Sequence, residues 1–152
     1  MKKYAWIAAL TVIVDQIVKL LAQGLTGPVT LIPGLLGLKY AQNTGMAFSM
    51  FSGKSWLLGP LSGALIALGW WVLRRYRLGR WSCAAAMLML GGAVGNMIDR
   101  LLRGYVVDMF EVLAFRFAIF NVADAALTVG CALMALTLVC CPDDWREKDA
   151  ED

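Results

Sequence analysis

Histidine is absent from this chain of 152 residues, and charged side chains make up only 16% of it. Without histidine there is no Ser-His-Asp or Cys-His triad, no HExxH zinc motif and no ordinary pH switch near neutrality. Acid–base chemistry therefore falls to carboxylates, lysine, tyrosine or cysteine. The net charge is only +3 and no basic stripe is interleaved with aromatics, so a nucleic acid is not expected as a partner.

Cysteine is also sparse and carries no recognisable motif. The four cysteines show no CxxC spacing, which argues against a redox motif or a zinc ribbon. All four lie in apolar stretches, and we interpret them as small hydrophobic residues. Reversible acylation of Cys140 or Cys141 at a membrane boundary is the alternative that stays open.

Apolar residues dominate what is present. They make up 60% of the chain, and the mean hydropathy is +0.66, whereas a soluble domain is nearer half apolar and a quarter charged. Four apolar spans, at about 4–21, 56–73, 81–98 and 118–141, each approach the roughly 20 residues that a helix needs to cross a bilayer. The sequence thus predicts one four-helix membrane domain over 1–142 and a polar, frayed tail over 143–152.

The first span resembles a secretory signal, because two lysines precede an apolar run. Asp15 and Lys19 lie in its second half and no small-x-small cleavage site follows, so we predict a retained helix.

Lysine and arginine are concentrated at both chain ends and in the link between the second and third spans. The positive-inside rule therefore predicts that both termini are cytoplasmic.

The outer loop over 22–55 is punctuated by glycine and proline. Between them, Val29–Ile32 and Leu35–Tyr40 have strand-like composition, which predicts a small sheet on the outer membrane surface. The predicted fold class is therefore a membrane all-α protein with four transmembrane helices and a small outer β-sheet. Two small-xxx-small pairs predict close helix packing, namely Gly59/Gly63 and Gly91/Gly95.

Polar side chains recur at helical spacing inside the spans. Asp15 and Lys19 are four residues apart with the acid first, the favourable order for an ion pair on one helix face. This pair either positions the first span or forms part of a polar site. Near the end of the third span, one face carries four polar residues at i, i+3, i+4 and i+7 spacing, which suggests the wall of a site: Asn96, Asp99, Arg100 and Arg103.

Two aspartates, Asp108 and Asp124, lie beside or within apolar segments near the outer surface. An ionised carboxylate next to hydrocarbon is costly and usually faces a protein interior or a cavity where it has a function. Two carboxylates held together cannot easily both ionise, so one keeps a proton and acts as an acid while the other acts as a base. Such a pair hydrolyses peptides without a nucleophilic side chain, but spacing alone does not establish that the two meet. Asn121, three residues before Asp124, is a predicted helix cap.

Five segments, occurring in order along the chain, resemble the lipoprotein signal peptidase (signal peptidase II) family of bacteria. They are Asp15-Gln-Ile-Val-Lys19, Asn43-Thr-Gly-Met-Ala-Phe-Ser49, Gly91-Gly-Ala-Val-Gly-Asn-Met-Ile-Asp-Arg100, Val106-Val-Asp108 and Phe120-Asn-Val-Ala-Asp124. The resemblance implies an aspartic protease of the cytoplasmic membrane that removes signal peptides from prolipoproteins. Cleavage would fall just before a cysteine that already carries diacylglycerol.

The resemblance also implies roles for individual residues. The two catalytic aspartates of the family fall on Asp108 and Asp124. Site-shaping or substrate-contacting positions fall on Asp15, Lys19, Asn43, Gly92, Asn96, Asp99, Arg100, Asn121 and Ala123. The expected enzyme is a monomer among membrane lipids that uses water and neither metal nor cofactor. Met46 departs from the family, which commonly has alanine there, and the larger side chain is expected to reshape the substrate groove.

Two other classes compete with the peptidase on the residues alone. A small four-span transporter would use Asp15 or Asp124 as its proton-coupled acid. It would not explain the polar residues concentrated at the outer ends of the third and fourth spans, nor the long first outer loop. A structural or assembly protein would leave the clustered carboxylates without a purpose.

Overall fold

Four long helices form the main body of the structure, a computed structural model that describes residues 1–45, 55–142 and 145–147. Met46 lies outside the described residues. After a short 3-10 turn at Lys2–Tyr4, the helices are α1 Ala5–Ala22, α2 Ser55–Leu73, α3 Arg80–Arg103 and α4 Val122–Cys140. Among the described residues, these four helices are long and apolar enough to cross a membrane. Together with the outer sheet, they confirm the predicted fold class.

Two helix boundaries differ from those expected from hydrophobicity. The third helix continues past 98 to Arg103 and ends at Gly104, whose φ of 78° supplies the left-handed residue that often terminates a helix. The fourth helix begins at Val122 and not at 118. Residues 118–120 are apolar, but Phe120 pairs with Phe110 as an isolated β-bridge, so this segment is extended.

Five short strands are described, namely β1 Val29–Ile32, β2 Leu36–Asn43, β3 Tyr76–Leu78, β4 Val106–Val112 and β5 Trp145–Glu147. The first, second and fourth form an antiparallel sheet in the order β1-β2-β4. The expected sheet of the first outer loop is present, and it gains a third strand from the connection between α3 and α4. This third strand matters because it carries Asp108.

The remaining two strands differ from the prediction of a frayed tail at 145–147, the part of the tail that the structure describes. β5 pairs antiparallel with β3, and Tyr76 and Trp145 are in edge-to-face contact with ring centroids 6.0 Å apart. The link between α2 and α3 therefore holds part of the C-terminal segment. Backbone hydrogen bonding and aromatic packing outweigh the polar composition that suggested fraying.

The third helix is central and packs against α1, α2 and α4. Close approach is possible because small residues lie at the crossings. A Cβ added to Gly91 would lie 2.7 Å from the Cβ of Thr11 on α1, and one added to Gly95 would lie 2.6 Å from Asp15 Oδ2. The predicted Gly91/Gly95 contact is therefore present, and it brings α1 against the polar face of α3.

Candidate active site

The site begins at the N-terminus of α4, where Asp124 occupies the first turn. Asn121 is the N-cap, as predicted. Its side chain accepts a hydrogen bond from the Asp124 N–H at 2.8 Å, and its own N–H donates to Asp124 Oδ2 at 3.3 Å. This reciprocal capping box satisfies two backbone donors at the helix end. It also fixes the Asp124 carboxylate beside Asn121.

Asp108 reaches the same place from β4. Neighbouring side chains of a strand point to opposite faces, and Val107 and Met109 pack against Ala22 at the end of α1. Asp108, between them, faces the other way. Its Oδ2 accepts a hydrogen bond from Asn43 Nδ2 at 3.1 Å.

A short pairing brings the two acids together. Phe110 N–H donates to the Phe120 carbonyl at 2.8 Å, and Phe120 N–H donates back to the Phe110 carbonyl at 3.1 Å. The chain entering α4 is thereby tied to β4. As a result, Asn121 Nδ2 donates to Asp108 Oδ1 at 2.6 Å, so Asn121 contacts both acids.

The pKa of Asp108 reflects these surroundings. Burial raises it to about 6 from an ordinary value of 3.8, and the nearby Asp124 charge acts in the same direction. The amide donors of Asn43 and Asn121 oppose the rise because they stabilise the ionised form. Asp108 is only 2% exposed. Asp108 therefore keeps its proton to a higher pH than an ordinary aspartate does.

Asn96 on α3 lies between the two acids and the deeper charges. Its Nδ2 donates to Asp124 Oδ1 at 2.7 Å, and its Oδ1 accepts from Asn121 Nδ2 at 3.1 Å. Lys19 Nζ donates to the same oxygen at 2.9 Å. Asn96 therefore links the buried lysine of α1 to the acid at the start of α4.

A fully buried ion network supports this arrangement. Lys19 Nζ lies 2.8 Å from Asp15 Oδ2 and 2.9 Å from Asp99 Oδ2, and all three side chains are inaccessible to solvent. The predicted Asp15–Lys19 pair is present, and Asp99 completes it. Removing one partner from a buried pair is strongly destabilising because the other charge is then left uncompensated.

The network also pins neighbouring backbone. Asp99 Oδ2 accepts the Val107 N–H at 3.1 Å, which fixes the start of β4 to α3. Asp15 Oδ1 accepts the Ala123 N–H at 2.8 Å, which fixes the start of α4 to α1. The strand that carries one acid and the helix that carries the other are thus anchored to the same ion network.

Gly92 has a packing role. A Cβ there would meet the backbone carbonyl of Ala123 and would lie 2.9 Å from Leu127 Cγ. Only glycine allows α3 and α4 to approach this closely. The side chain of Ala123 is itself fully buried at the same crossing.

Arg100 lies at the edge of the site. Its Nη2 donates to the carbonyl of Gly45 at 3.1 Å, while its Nε is buried and has no hydrogen-bond partner among the described residues. A buried donor without a partner is costly unless another group fills the position. Gly45 is the last described residue before 46–54.

Each acid lines a different groove. Asp124, Asn96 and Arg100 lie at one end of an apolar cavity of about 360 Å³, whose other walls are mainly leucine, methionine and tryptophan side chains of α2, α3 and α4. Asp108 and Asn43 line a second groove of about 970 Å³ beside the outer sheet and the segment before α4. The pair therefore lies where an apolar groove and a more polar groove come together.

The structure brings the sequence-predicted residues into one cluster, and it adds Gln16, which was not among them. Gln16 Nε2 donates to Asp15 Oδ2 and Asp99 Oδ1, each at 3.2 Å. Arg103 forms an ion pair with Asp99 and donates to Gln16 Oε1 at 3.2 Å. The signal for Gln16 was its position three residues before Lys19, on the same helix face. Arg103 is one of the four polar residues of α3 that the helical spacing predicted as the wall of a site, and its contacts with Asp99 and Gln16 agree with that prediction.

Comparison with known proteins gives consistent matches over most of the chain. The family profile described as Signal peptidase (SPase) II matches residues 7–140. A protein of Streptococcus pyogenes serotype M6 named "Lipoprotein signal peptidase" is 36% identical over 160 residues, covering 100% of both chains. A protein of the same name from serotype M2 is 36% identical over 157 residues and covers 98% of each chain.

Solved structures with the same fold are also similar. One, titled as a bacterial membrane enzyme determined by the in meso method at 2.3 Å resolution, superposes with a TM-score of 0.86 at 27% identity. It covers 99% of this chain and 96% of its own. A second of the same description, at 1.9 Å resolution, has a TM-score of 0.82 at 28% identity and covers 93% of this chain and 95% of its own.

Proposed function

Because this chain belongs to the signal peptidase II family, we propose that it removes signal peptides from prolipoproteins with Asp108 and Asp124 as its catalytic pair. Family membership decides between the classes that the residues alone left open, in favour of the peptidase over the transporter and the assembly protein. The protein is an aspartic endopeptidase and a multi-pass bacterial membrane protein. The observation that carries the catalytic assignment is the contact of Asn121 with both carboxylates.

The chemistry follows from one proton shared by two acids. The ionised carboxylate takes a proton from water as the water oxygen attacks the scissile carbonyl carbon. The protonated carboxylic acid gives its proton to the carbonyl oxygen, which forms a neutral tetrahedral diol. Collapse of this diol breaks the C–N bond. The carboxyl group that took its proton from water delivers it to the leaving amine, and the other carboxylate takes a proton from a diol hydroxyl, which restores the singly protonated pair. No covalent intermediate with the enzyme is required.

The two grooves suggest how the substrate lies. We place the apolar segment of the signal peptide in the cavity between α2, α3 and α4, which ends at Asp124. The chain beyond the scissile bond would then leave along the groove that contains Asp108. A substrate anchored by acyl chains reaches such a site without leaving the membrane. Arg100, whose Nε lacks a partner among the described residues, is placed to bind a carbonyl of the substrate backbone.

The remaining assignments are part of the same proposal. Both termini are cytoplasmic, cleavage occurs at the outer face just before the diacylglyceryl cysteine, and the enzyme acts as a monomer surrounded by membrane lipid. A topology assay tests the orientation. A membrane-impermeant thiol reagent applied to intact cells should leave Cys141 at the end of α4 unmodified, and should modify it after permeabilisation. Modification in intact cells would reverse the proposed orientation.

Reconstituted enzyme and a diacylated precursor test the catalytic pair. Asp108→Asn and Asp124→Asn should each reduce cleavage by several orders of magnitude, since neither variant can pass a proton through both carboxyl groups. Glu147→Gln makes the equivalent carboxylate-to-amide change in β5, at the far end of the helices, and should cleave normally. Near-normal rates in both aspartate variants would reject the assignment, and uptake of a solute coupled to protons would favour a transporter.

A further inference from the structure

Lys19 lies beneath the proposed catalytic pair and uses every donor it has. Its fully buried ammonium group contacts Asp15 Oδ2 at 2.8 Å, Asp99 Oδ2 at 2.9 Å and Asn96 Oδ1 at 2.9 Å. A lysine ammonium has three N–H donors and no acceptor. Two donors are therefore committed to carboxylates, and the third is committed to the amide that contacts Asp124.

This third contact determines which way Asn96 faces. Because the ammonium can only donate, it holds the carbonyl oxygen of the amide and leaves Nδ2 to face Asp124 Oδ1 at 2.7 Å. The same oxygen accepts from Asn121 Nδ2, which also donates to Asp108 Oδ1. A flipped Asn96 would place its oxygen against the Asp124 carboxylate and its NH2 group against the donors of Lys19 and Asn121. The lysine thus ensures that both amides offer hydrogens to the two acids.

The charges of the cluster balance only at one protonation state of the pair. Three cationic side chains face four carboxylates, so the set carries one negative charge when every carboxylate is ionised. The set becomes neutral when the pair holds a single proton, and uncompensated charge is costly at buried positions. The members are Lys19, Arg100 and Arg103, with Asp15, Asp99, Asp108 and Asp124.

Other titratable groups near the pair are closer to solvent. Glu111 and Arg116 line the sheet groove with Asp108, and Glu111 lies 3.8 Å from Lys39, whose side chain is 50% exposed. Solvent and salt screen charges at such positions. Tyr105 is hydrogen-bonded to Tyr40, which raises the pKa of Tyr105 above its ordinary value of 10.0, so it is uncharged at neutral pH. None of these groups replaces the charge of Lys19.

We infer that Lys19 is a positioning residue that acts through Asn96 to keep the Asp108–Asp124 pair singly protonated at neutral pH. The inference rests on the proposed catalytic role of that pair. Without the lysine charge, the pair would hold its protons more tightly, and both acids would be protonated over a wider pH range. The amide of Asn96 would also lose the contact that fixes its orientation.

The pH dependence of kcat/KM tests this role in full-length enzyme reconstituted with a diacylated precursor. Lys19→Gln keeps a hydrogen-bond donor and loses the charge, so its profile should move to higher pH by about one unit. Asp99→Asn removes a negative charge from the same network, so its profile should move to lower pH. Lys39→Gln, at an exposed ion pair outside the network, should leave the profile in place.

A double variant separates the effect of the Lys19 charge on the pH profile from its effect on folding. In the double variant Lys19→Gln with Asp15→Asn, the charge balance of the cluster is restored, and the profile should return toward that of the unaltered enzyme. If Lys19→Gln does not yield folded protein, the direction in which Asp99→Asn moves the pH profile of kcat/KM is sufficient to test the inference. Equal loss of rate at every pH, with no displacement in either direction, would show a purely structural lysine. Failure of the proposed function is recognised separately, as activity retained by both Asp108→Asn and Asp124→Asn.

Discussion

Asn121 Nδ2 donates a 2.6 Å hydrogen bond to Asp108, while the backbone and side chain of the same asparagine form the capping box with Asp124. One residue thus has two separable functions. It caps a membrane-spanning helix, and it sets the position of one acid relative to the other.

Asn121→Ser separates these functions, because serine is also a good N-cap but is too short to reach Asp108. We expect the serine variant to retain the stability of the unaltered enzyme to within a few tenths of a kcal/mol and to lose about 10-fold to 100-fold in kcat. Asn121→Ala should lose a similar factor in kcat and also about 1 kcal/mol of stability. Thermal unfolding and cleavage kinetics on both variants check the prediction. Equal stability losses in the two variants would contradict it.

The raised pKa of Asp108 predicts how stability depends on pH. A carboxyl group whose pKa is 3.8 in the unfolded chain and about 6 in the folded protein destabilises the fold when it is ionised. This cost to the free energy of unfolding is absent below pH 3.8, grows between pH 3.8 and about 6, and is complete above about pH 6. Asp108→Asn removes it, so the variant should gain on the order of 2–3 kcal/mol over the unaltered protein between pH 4 and pH 7.

Asp108→Asn also changes the hydrogen bonds that the carboxylate makes, and this change alters the free energy of unfolding by an amount that does not depend on pH. The change in the stability difference with pH therefore isolates the charge. Unfolding midpoints measured at several pH values in one detergent provide the comparison. A stability difference that stays constant across this range would show that Asp108 titrates at its ordinary value.

Arg100 is predicted to bind substrate more than to assist the chemical step. Its Nη2 contacts the Gly45 carbonyl, and its Nε is buried without a partner among the described residues. Arg100→Lys keeps the charge but loses the planar set of donors. We expect KM to rise by about 10-fold, the value of one hydrogen bond to a charged group, with a smaller change in kcat. A fall in kcat at constant KM would place Arg100 in the chemical step.

The contact between α1 and α3 predicts unequal effects of two glycine substitutions. In Gly95→Ala the added methyl would lie 2.6 Å from Asp15 Oδ2, so the buried ion network must shift. In Gly63→Ala the methyl would lie 3.4 Å from Met97 Sδ, an ordinary contact with a flexible side chain. Gly95→Ala should therefore lose about 1–3 kcal/mol of stability together with activity, and Gly63→Ala should be near neutral. Thermal unfolding of the two proteins side by side measures the difference.

Local patterns in the sequence predicted the parts of the site that depend on one helix at a time. Helical periodicity placed Asn96, Asp99 and Arg100 on one face, and all three reach the site. Capping preference identified Asn121, because the capping bonds involve residues only three apart. Hydrophobicity located the helices but misplaced the start of α4, since the apolar segment before it is used in a β-bridge.

Pairing between distant segments could not be read from the chain in the same way. Nothing local specifies that β4 pairs with β2, or that Phe120 pairs with Phe110. Those two pairings place Asp108 beside Asn121. The pairing of β5 with β3 was missed for the same reason, because strand registry over such separations depends on the folded structure around it.

The two acids are carried by different kinds of element, one by a strand of the outer sheet and the other by a helix of the bundle. Helices that must satisfy their own backbone form on insertion into the membrane, whereas the sheet requires segments from both sides of α2 and α3 to find each other. In a newly inserted chain, the helix that carries Asp124 is therefore expected to form before the strand that carries Asp108 is paired. If the two acids act as proposed, an incompletely folded chain cannot cleave peptides, because the proposed pair is assembled only when the sheet has formed.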